Sequence, residues 1–175
     1  DGKVLRYHGG GVARVRPDGS ELEMYVYNTR NQFDVAISPT LELFTRDNTN
    51  DGKGWNLRVH HQVPESDFGY PRLYQNFPDE HIASLGDYGG GSGMGVLFLD
   101  EPGFPKDVNN KLYTCDWTSG KVFSFEMEAK DATYKIKQNV FTTLTRATDL
   151  DVDGESNLYF SDWLGGKFAY AGQEK

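Results

Sequence analysis

Apolar residues recur along the chain in short alternating runs separated by turn residues, and no window has the 3.6-residue periodicity of an amphipathic helix. The turn Pro17-Asp18-Gly19-Ser20 separates predicted strands at 12–16 and 22–27. Ser38-Pro39 separates another pair, at 33–37 and 41–46. Further strands are predicted at 96–99, 111–115, 121–127, 133–137, 149–152, 157–161 and 167–170. The pattern therefore predicts an all-β fold.

Three segments share an apolar pair, two further strand residues and then an acid. They are Leu43-Phe44-Thr45-Arg46-Asp47, Leu112-Tyr113-Thr114-Cys115-Asp116 and Leu158-Tyr159-Phe160-Ser161-Asp162. The second and third segments begin 46 residues apart, which is about the length of one β-propeller blade. The first and second begin 69 residues apart, which predicts one blade plus a loop insertion within residues 62–95.

A propeller with blades of this size needs more residues than the chain contains. A blade of 46 residues fits about four times into 175 residues, whereas rings of such blades more often have six or seven. An open arc would leave the sides of its end blades uncovered. We therefore expect residues 1–175 to be one segment of about four blades from a six-bladed β-propeller. The remaining blades would come from another chain or from a longer protein.

Composition excludes several functions. The formal net charge of −8 argues against nucleic-acid binding, which requires clustered Lys and Arg. No apolar run approaches the 18 residues of a membrane span. The single cysteine, Cys115, excludes an internal disulfide framework and a Cys-x-x-Cys motif for metal or haem attachment, and we expect it to be buried.

Several landmarks, in order along the chain, resemble one family, the soluble pyrroloquinoline-quinone (PQQ) dehydrogenases of glucose and aldose sugars. Residues 27–36 are similar to its Arg-Asn signature, 67–71 to its Asn-Tyr-Gly-Trp-Pro motif and 145–150 to its Arg-x-Arg-Asp-Val motif. Residues 9–19, 45–52 and 76–80 are similar to planctomycete-type "membrane-bound dehydrogenase" proteins, which carry a haem c module.

The resemblance implies a cofactor site at the central channel, with Arg30, Asn31 and Arg146 contacting PQQ. PQQ has three carboxylates, which the planar guanidinium group binds in a bidentate manner. The intact protein would be periplasmic or secreted, and would oxidise a sugar or related alcohol and pass electrons to a haem c module or protein. The residues alone leave open a structural role, in which Arg30 pairs with an acid such as Asp34.

The same resemblance places a calcium loop after Phe44. The side chains of Asp47, Asn48, Asn50 and Asp51 are oxygen ligands of the kind that calcium prefers. The alternative is a turn that is rich in Asn and Asp because these residues tolerate the left-handed conformation. Asp149, Asp151 and Asp153 begin a similar pattern, which we interpret as an inner strand that enters an Asp-Gly turn.

The chain departs from the family at three positions. Gln32 stands in place of a proline, Thr148 in place of a second arginine, and Trp117 near a cofactor-contacting lysine. The catalytic histidine of the family, which acts as the base, lies well upstream of the Arg-Asn pair. We therefore expect the base to lie outside this chain. The catalytic residues within this chain are unknown. The missing base, Thr148 and Trp117 favour a second hypothesis, a non-catalytic carbohydrate- or protein-binding propeller. A calcium-dependent lactonase is the third.

Three further features have structural interpretations. His60 and His61 end a predicted strand, point to opposite faces and are interpreted as a polar loop edge. Residues 89–93, Gly-Gly-Gly-Ser-Gly, are interpreted as a flexible loop. Trp117 and Trp163 occupy equivalent repeat positions, which favours packing between blades but also allows stacking on a sugar.

Overall fold

Short, mostly antiparallel strands make up the regular structure of the chain. The structure, a computed structural model, describes residue 2 and residues 4–50, 55–73 and 76–164, with only the backbone described at 49, 50 and 55. Its strands are β1 (Gly10–Arg14), β2 (Glu23–Thr29), β3 (Ala36–Ile37), β4 (Leu43–Asn50), β5 (Trp55–Gln62), β6 (Ser66–Asp67), β7 (Gly86–Gly90), β8 (Gly93–Leu99), β9 (Lys111–Asp116), β10 (Lys121–Lys130), β11 (Thr133–Thr143), β12 (Ala147–Val152) and β13 (Leu158–Asp162). One turn of 3-10 helix spans Pro78–Glu80.

The strands form four sheets that follow one another along the chain. The leading sheet has the order β1-β2-β6, blade 1 the order β3-β4-β5-β7 and blade 2 the order β8-β9-β10-β11. Up to residue 164, where the described part ends, blade 3 contains β12 and β13. Strand β8 of blade 2 contacts β3 and β4 of blade 1, and β12 of blade 3 contacts β8 and β9. Consecutive sheets that pack side by side confirm the predicted all-β fold and the partial β-propeller.

Strand β9 of blade 2 is buried on both faces because a blade lies on each side of it. Leu112 and Phe125 belong to an apolar cluster shared with Phe44 and Val59 of blade 1. Tyr113 and Cys115 belong to a second cluster, shared with Ala147 and Leu150 of blade 3. Adjacent residues of β9 thus face different blades, as strand alternation requires, and the predicted burial of Cys115 is confirmed.

The predicted insertion within 62–95 is found between β5 and β7. In this segment β6 pairs in parallel with β2, matching Ser66 with Val26 and Asp67 with Tyr27. The backbone amide of Tyr70 also donates to the carbonyl of Asn28 at 2.8 Å. The insertion therefore fastens the leading sheet to blade 1.

One loop prediction and one strand prediction need correction, and another strand prediction lies outside the described residues. The flexible loop predicted at 89–93 is wrong: Gly86–Gly90 form β7, which pairs with β5, and Gly93 begins β8. Gly93 serves close approach, since its Cβ would lie 2.8 Å from the backbone carbonyl oxygen of Arg46. The predicted strand 33–37 shortens to Ala36–Ile37. The strand predicted at 167–170 is outside the described part.

Helices are short wherever the chain is described, and none of them is long and apolar enough to cross a membrane.

Candidate functional site

The acid that ends the first sequence repeat binds the loop that leads into the same blade. Oδ2 of Asp47 accepts the backbone amide of Arg30 at 2.9 Å, and its Oδ1 accepts that of Asn31 at 2.6 Å. Asp47 is 1% exposed, so these charge-assisted bonds are shielded from water. We call this arrangement, in which the acid of a repeat accepts backbone amides of the loop that enters its blade, the acid clamp.

The other two repeats contain the same clamp. In blade 2, Asp116 accepts the amide of Ser92 at 2.9 Å, and in blade 3, Asp162 accepts those of Thr145 at 3.0 Å and Arg146 at 2.6 Å. The bond from the Arg146 amide is the main cause of the lowered pKa of Asp162. The sequence repeat is therefore a device that fixes one loop at the same end of each blade.

In blades 1 and 2, the residue after the clamp acid contacts an arginine on a clamped loop. Asn48 contacts Arg30 of its own blade, and Trp117 contacts Arg146 of blade 3. Oδ1 of Asn48, after Asp47, accepts a hydrogen bond from Nη1 of Arg30 at 3.1 Å. The guanidinium of Arg146 lies 4.2 Å from the ring centroid of Trp117, within the range of a cation–π interaction. The Trp117 ring is in turn 5.5 Å from that of Trp163.

The predicted cofactor contacts thus lie on the clamped loops of two blades, where Arg146 matches Asn31, because each donates the second clamped amide. Arg30 and Asn31 lie on the clamped loop of blade 1 and Arg146 on that of blade 3, with the Ser92 loop of blade 2 between them. Both arginines are half-buried and Asn31 is exposed. The guanidinium groups of Arg30 and Arg146 therefore lie on the loops of the two blades that flank blade 2, and an acid clamp holds the backbone of each loop.

Asp34, the acid suggested as a partner for Arg30, has another role. Its Oδ1 accepts the amide of Val35 at 2.7 Å, and its Oδ2 accepts that of Val96 in blade 2 at 3.1 Å. The Thr45 hydroxyl donates to the Asp34 carbonyl at 2.5 Å. Asp34 therefore joins blade 1 to blade 2.

Three of the four proposed calcium residues, Asp47, Asn48 and Asn50, lie in a strand and not in a loop or turn. Asp47 and Asn48 lie within β4, where pairing with β5 continues through Asn50, and their side-chain oxygens accept the hydrogen bonds described above. Only the backbone of Asn50 is described, and Asp51 lies outside the described residues. In the described part, no three His, Cys, Asp or Glu side chains are grouped to hold a metal ion. Calcium binding stays a prediction.

The acids of 149–153 have the structural role that was interpreted for them. Asp149 and Asp151 each accept the amide of the next residue, at 2.9 and 2.8 Å. Asp153 closes the turn between β12 and β13: it accepts the amides of Glu155 and Asn157 at 2.9 Å. Hydrogen bonds, chiefly from the Asn157 side chain, lower the pKa of Asp153 to about 2.

The interpretation of His60 and His61 as a polar loop edge is wrong, because both are buried. His60 is 4% exposed and packs on Phe68 of the insertion, with ring centroids 4.2 Å apart. His61 is 6% exposed and packs on Phe44 and on Tyr134 of blade 2. The predicted opposite orientations are confirmed, and Tyr134, which covers His61, is distant in sequence.

Sequence reasoning missed the role of Arg46. Its side chain is 1% exposed, and Nη1 donates to Oγ1 of Thr114 at 2.8 Å and to Oε1 of Gln138 at 3.0 Å. The guanidinium lies 4.7 Å from the ring centroid of Phe123, and burial lowers its pKa to about 10. Its place one residue before a clamp acid was the only available signal.

The fold and the clamped loops define a β-propeller segment with two arginines, Arg30 and Arg146, at one end. No protein-family model matches the chain, and no curated protein matches it in sequence. Solved structures do match. A putative oxidoreductase (glucose dehydrogenase) from Thermus thermophilus superposes with a TM-score of 0.62 at 22% identity, covering 79% of this chain and 40% of that chain.

Two other similar structures are aldose sugar dehydrogenases. The PQQ-bound enzyme from Streptomyces coelicolor gives a TM-score of 0.63 at 14% identity, covering 81% of this chain and 42% of that chain. The soluble enzyme from Escherichia coli, in its apo form, gives 0.58 at 17% identity, with 79% and 43% covered. The chain therefore has the fold of a part of these sugar dehydrogenases, and spans about two-fifths of their length.

Proposed function

We propose that the chain is a segment of a quinoprotein-like sugar or alcohol dehydrogenase, whose clamped loops bind PQQ at the central channel. The observation that carries the proposal is that Arg30 and Arg146 each donate a backbone amide to an acid clamp, on the entering loops of blades 1 and 3. The fold shared with sugar dehydrogenases, one of them PQQ-bound, supports the same conclusion.

The residues at the clamped loops fit the chemistry of PQQ. Its carboxylates require cationic donors, and a guanidinium on a fixed backbone loses little conformational freedom on binding one. Asn31, exposed beside Arg30, would supply an amide to the same ligand. When bound, PQQ supplies an ortho-quinone that accepts two electrons and two protons from the alcohol. The residues of this chain would orient the cofactor, and the base would come from outside the chain.

The remaining parts of the proposal follow from the resemblance. Calcium would be bound by oxygens beyond the clamp, among them Asn50 and Asp51, because Asp47 and Asn48 already accept hydrogen bonds. The other blades, a haem c electron acceptor and a periplasmic or secreted location complete the proposed protein.

Titration of PQQ into the full-length protein, followed by the quenching of tryptophan fluorescence, tests the proposal. We expect saturable binding that weakens about tenfold or more in each of Arg30→Ala and Arg146→Ala, because each removes one charge-assisted contact. Arg16→Ala is the matched control, since Arg16 loses the same charge at an exposed pair with Glu21 in the turn of the leading sheet. Failure of PQQ to bind in the presence of calcium, or equal weakening by the control, contradicts the proposal.

A second function, carbohydrate binding without catalysis, is favoured by the pair of tryptophans beside Arg146. Trp163 is 40% exposed, and its ring is 5.5 Å from that of Trp117, so the pair offers an aromatic surface to a sugar ring. Binding on a glycan array without PQQ-dependent dye reduction would support this function over the first. Dye reduction by the full-length protein with a sugar would exclude it.

A further inference from the structure

Blade 2 contributes to the clamped end of the segment in a different way from its two neighbours. Its entering loop, residues 91–92, is Gly-Ser and contains no cationic side chain, and the amide held by Asp116 is that of Ser92. The residue after this acid, Trp117, nevertheless extends to the clamped loop of blade 3, where it contacts Arg146. Blade 2 therefore contributes an aromatic ring where blades 1 and 3 contribute arginines.

The Trp117 ring is restrained by contacts with both blades. Its backbone amide donates to the carbonyl of Ser92 in blade 2 at 3.0 Å. Its ring lies 5.5 Å from the ring of Trp163 in blade 3, and the two ring planes are inclined by 49°. The amide of Trp163 in turn donates to the carbonyl of Arg146 at 3.1 Å, so the two contacts of the Trp117 ring belong to one connected unit.

This ring holds the Arg146 guanidinium without offering it an oxygen. The Cζ atom of Arg146 lies over the ring of Trp117, 4.2 Å from its centroid, which is well within cation–π range. Within the described part of the chain, no oxygen accepts a hydrogen bond from this guanidinium. A guanidinium has five N–H donors in a planar fork that matches a carboxylate. The contact thus orients the fork and leaves its donors to a ligand.

The other arginine of the proposed cofactor site is oriented by a different kind of contact. Nη1 of Arg30 donates to Oδ1 of Asn48 at 3.1 Å, so a protein oxygen already occupies one of its donors. A long side chain loses rotamer freedom when it binds a ligand, and prior orientation lowers this cost. Both arginines have that advantage, but only at Arg146 is it supplied by an aromatic ring from the neighbouring blade.

We propose that Trp117 is a positioning residue of the PQQ site: its ring orients the Arg146 guanidinium toward a carboxylate of the cofactor. Blade 2 thus acts on the cofactor through an arginine of blade 3. The inference rests on the proposed function, in which Arg146 contacts PQQ. It adds a residue whose effect on PQQ binding depends entirely on that arginine.

A double-mutant cycle tests this dependence, with isothermal titration of PQQ into the full-length protein in the presence of calcium. We expect Trp117→Leu to weaken PQQ binding about three- to tenfold, the effect of losing one cation–π contact. In the Arg146→Ala background the same change should weaken it at most about twofold, since no guanidinium remains to be oriented. In the Arg30→Ala background it should keep its full effect, because Asn48 orients Arg30.

Control variants separate positioning from simple packing between the blades. Trp117→Phe keeps an aromatic face and should bind PQQ more tightly than Trp117→Leu does. Phe141→Leu removes a ring that lies 6.4 Å from that of Phe160 across the same blade contact, and should leave PQQ binding unchanged. If Trp117→Leu does not fold, Trp117→Met replaces it, because methionine also lacks a ring and fills irregular space.

The outcomes distinguish failure of this inference from failure of the proposed function. Equal weakening by Trp117→Leu in all backgrounds, or no weakening in any of them, would overturn the role of Trp117 alone. The same conclusion would follow if Trp117→Phe bound PQQ as weakly as Trp117→Leu. Absence of PQQ binding by the unmodified protein would overturn the proposed function and, with it, the positioning role.

Discussion

The carboxylate of Asp47 accepts the backbone amide of Arg30 at 2.9 Å, although 17 residues separate them. The loop that contains Arg30 leads into a strand of only two residues, so the amides of this loop lack partners within a sheet. The clamp satisfies two of these amides, and it also sets the direction in which the Arg30 side chain leaves the backbone. The fold of this loop and the proposed cofactor site therefore both depend on Asp47.

Removal of the blade 1 clamp should destabilise the protein. We expect Asp47→Ala to lower the free energy of unfolding by roughly 3 kcal/mol, because two bonds to a charged, buried group are lost and two amides remain unpaired. Asp47→Asn should cost less, since one amide oxygen still accepts. Urea denaturation measures both, with the exposed Glu128→Gln as control. Equal stability of Asp47→Ala and the control would show that water replaces the clamp.

Close packing of blade 3 on blade 2 should make Gly95 intolerant of a side chain. A Cβ on Gly95 would lie 2.1 Å from Oδ1 and 2.8 Å from Cα of Asp149, so the backbone of β12 would have to move. We expect Gly95→Ala to destabilise the protein by about 1–3 kcal/mol, the usual effect of overpacking. Thermal unfolding of Gly154→Ala is the matched control, because nothing lies within 4 Å of its new Cβ. Equal melting temperatures of the two variants would contradict the blade contact.

Burial of His61 should make the protein less stable in mild acid. Burial, opposed by Glu42, lowers the pKa of His61 from the ordinary value of 6.5, so the unfolded chain binds more protons than the folded one between the two pKa values. Stability is therefore full above pH 6.5 and decreases as the pH falls toward the folded pKa.

Urea midpoints between pH 5 and pH 8, compared for the unmodified protein and His61→Gln, measure this effect. We expect the stability difference between the two proteins to become smaller, or to change sign, as the pH falls, because glutamine has no proton to bind. A difference that stays constant over this range would mean that His61 does not contribute to the pH dependence.

Cys115 should be inert to thiol reagents until the protein unfolds. Burial is the main reason why the pKa of the Cys115 thiol is raised to about 12, and the side chain is inaccessible to solvent. At pH 8 the thiolate fraction would be on the order of 10⁻⁴, so both chemistry and access oppose the reaction. Iodoacetamide followed by mass spectrometry should show no modification of the folded protein and complete modification in urea. Rapid labelling without denaturant would contradict the packing between blades 2 and 3.

Local sequence features were sufficient where the structure depends on short-range order. Alternation predicted the strands, and the Leu112 and Leu158 repeats identified the blade length, because each blade is built from neighbouring strands. The pattern also located the insertion within 62–95. It could not show that Gly86–Gly90 form a strand, because glycine permits both a loop and a close approach and the sequence does not distinguish them.

By itself, the sequence determined the all-β class, the spacing of the repeats and the acid that ends each of them. Only the tertiary structure decided what these acids bind: Asp47 looked like a turn residue with free oxygens, but its oxygens accept amides 16 and 17 residues earlier in the chain. His61 is likewise buried by Tyr134, which is 73 residues later. Residue type and spacing set what a side chain can bind. The packing of blades that are distant in sequence decides which partner it reaches and whether water is excluded.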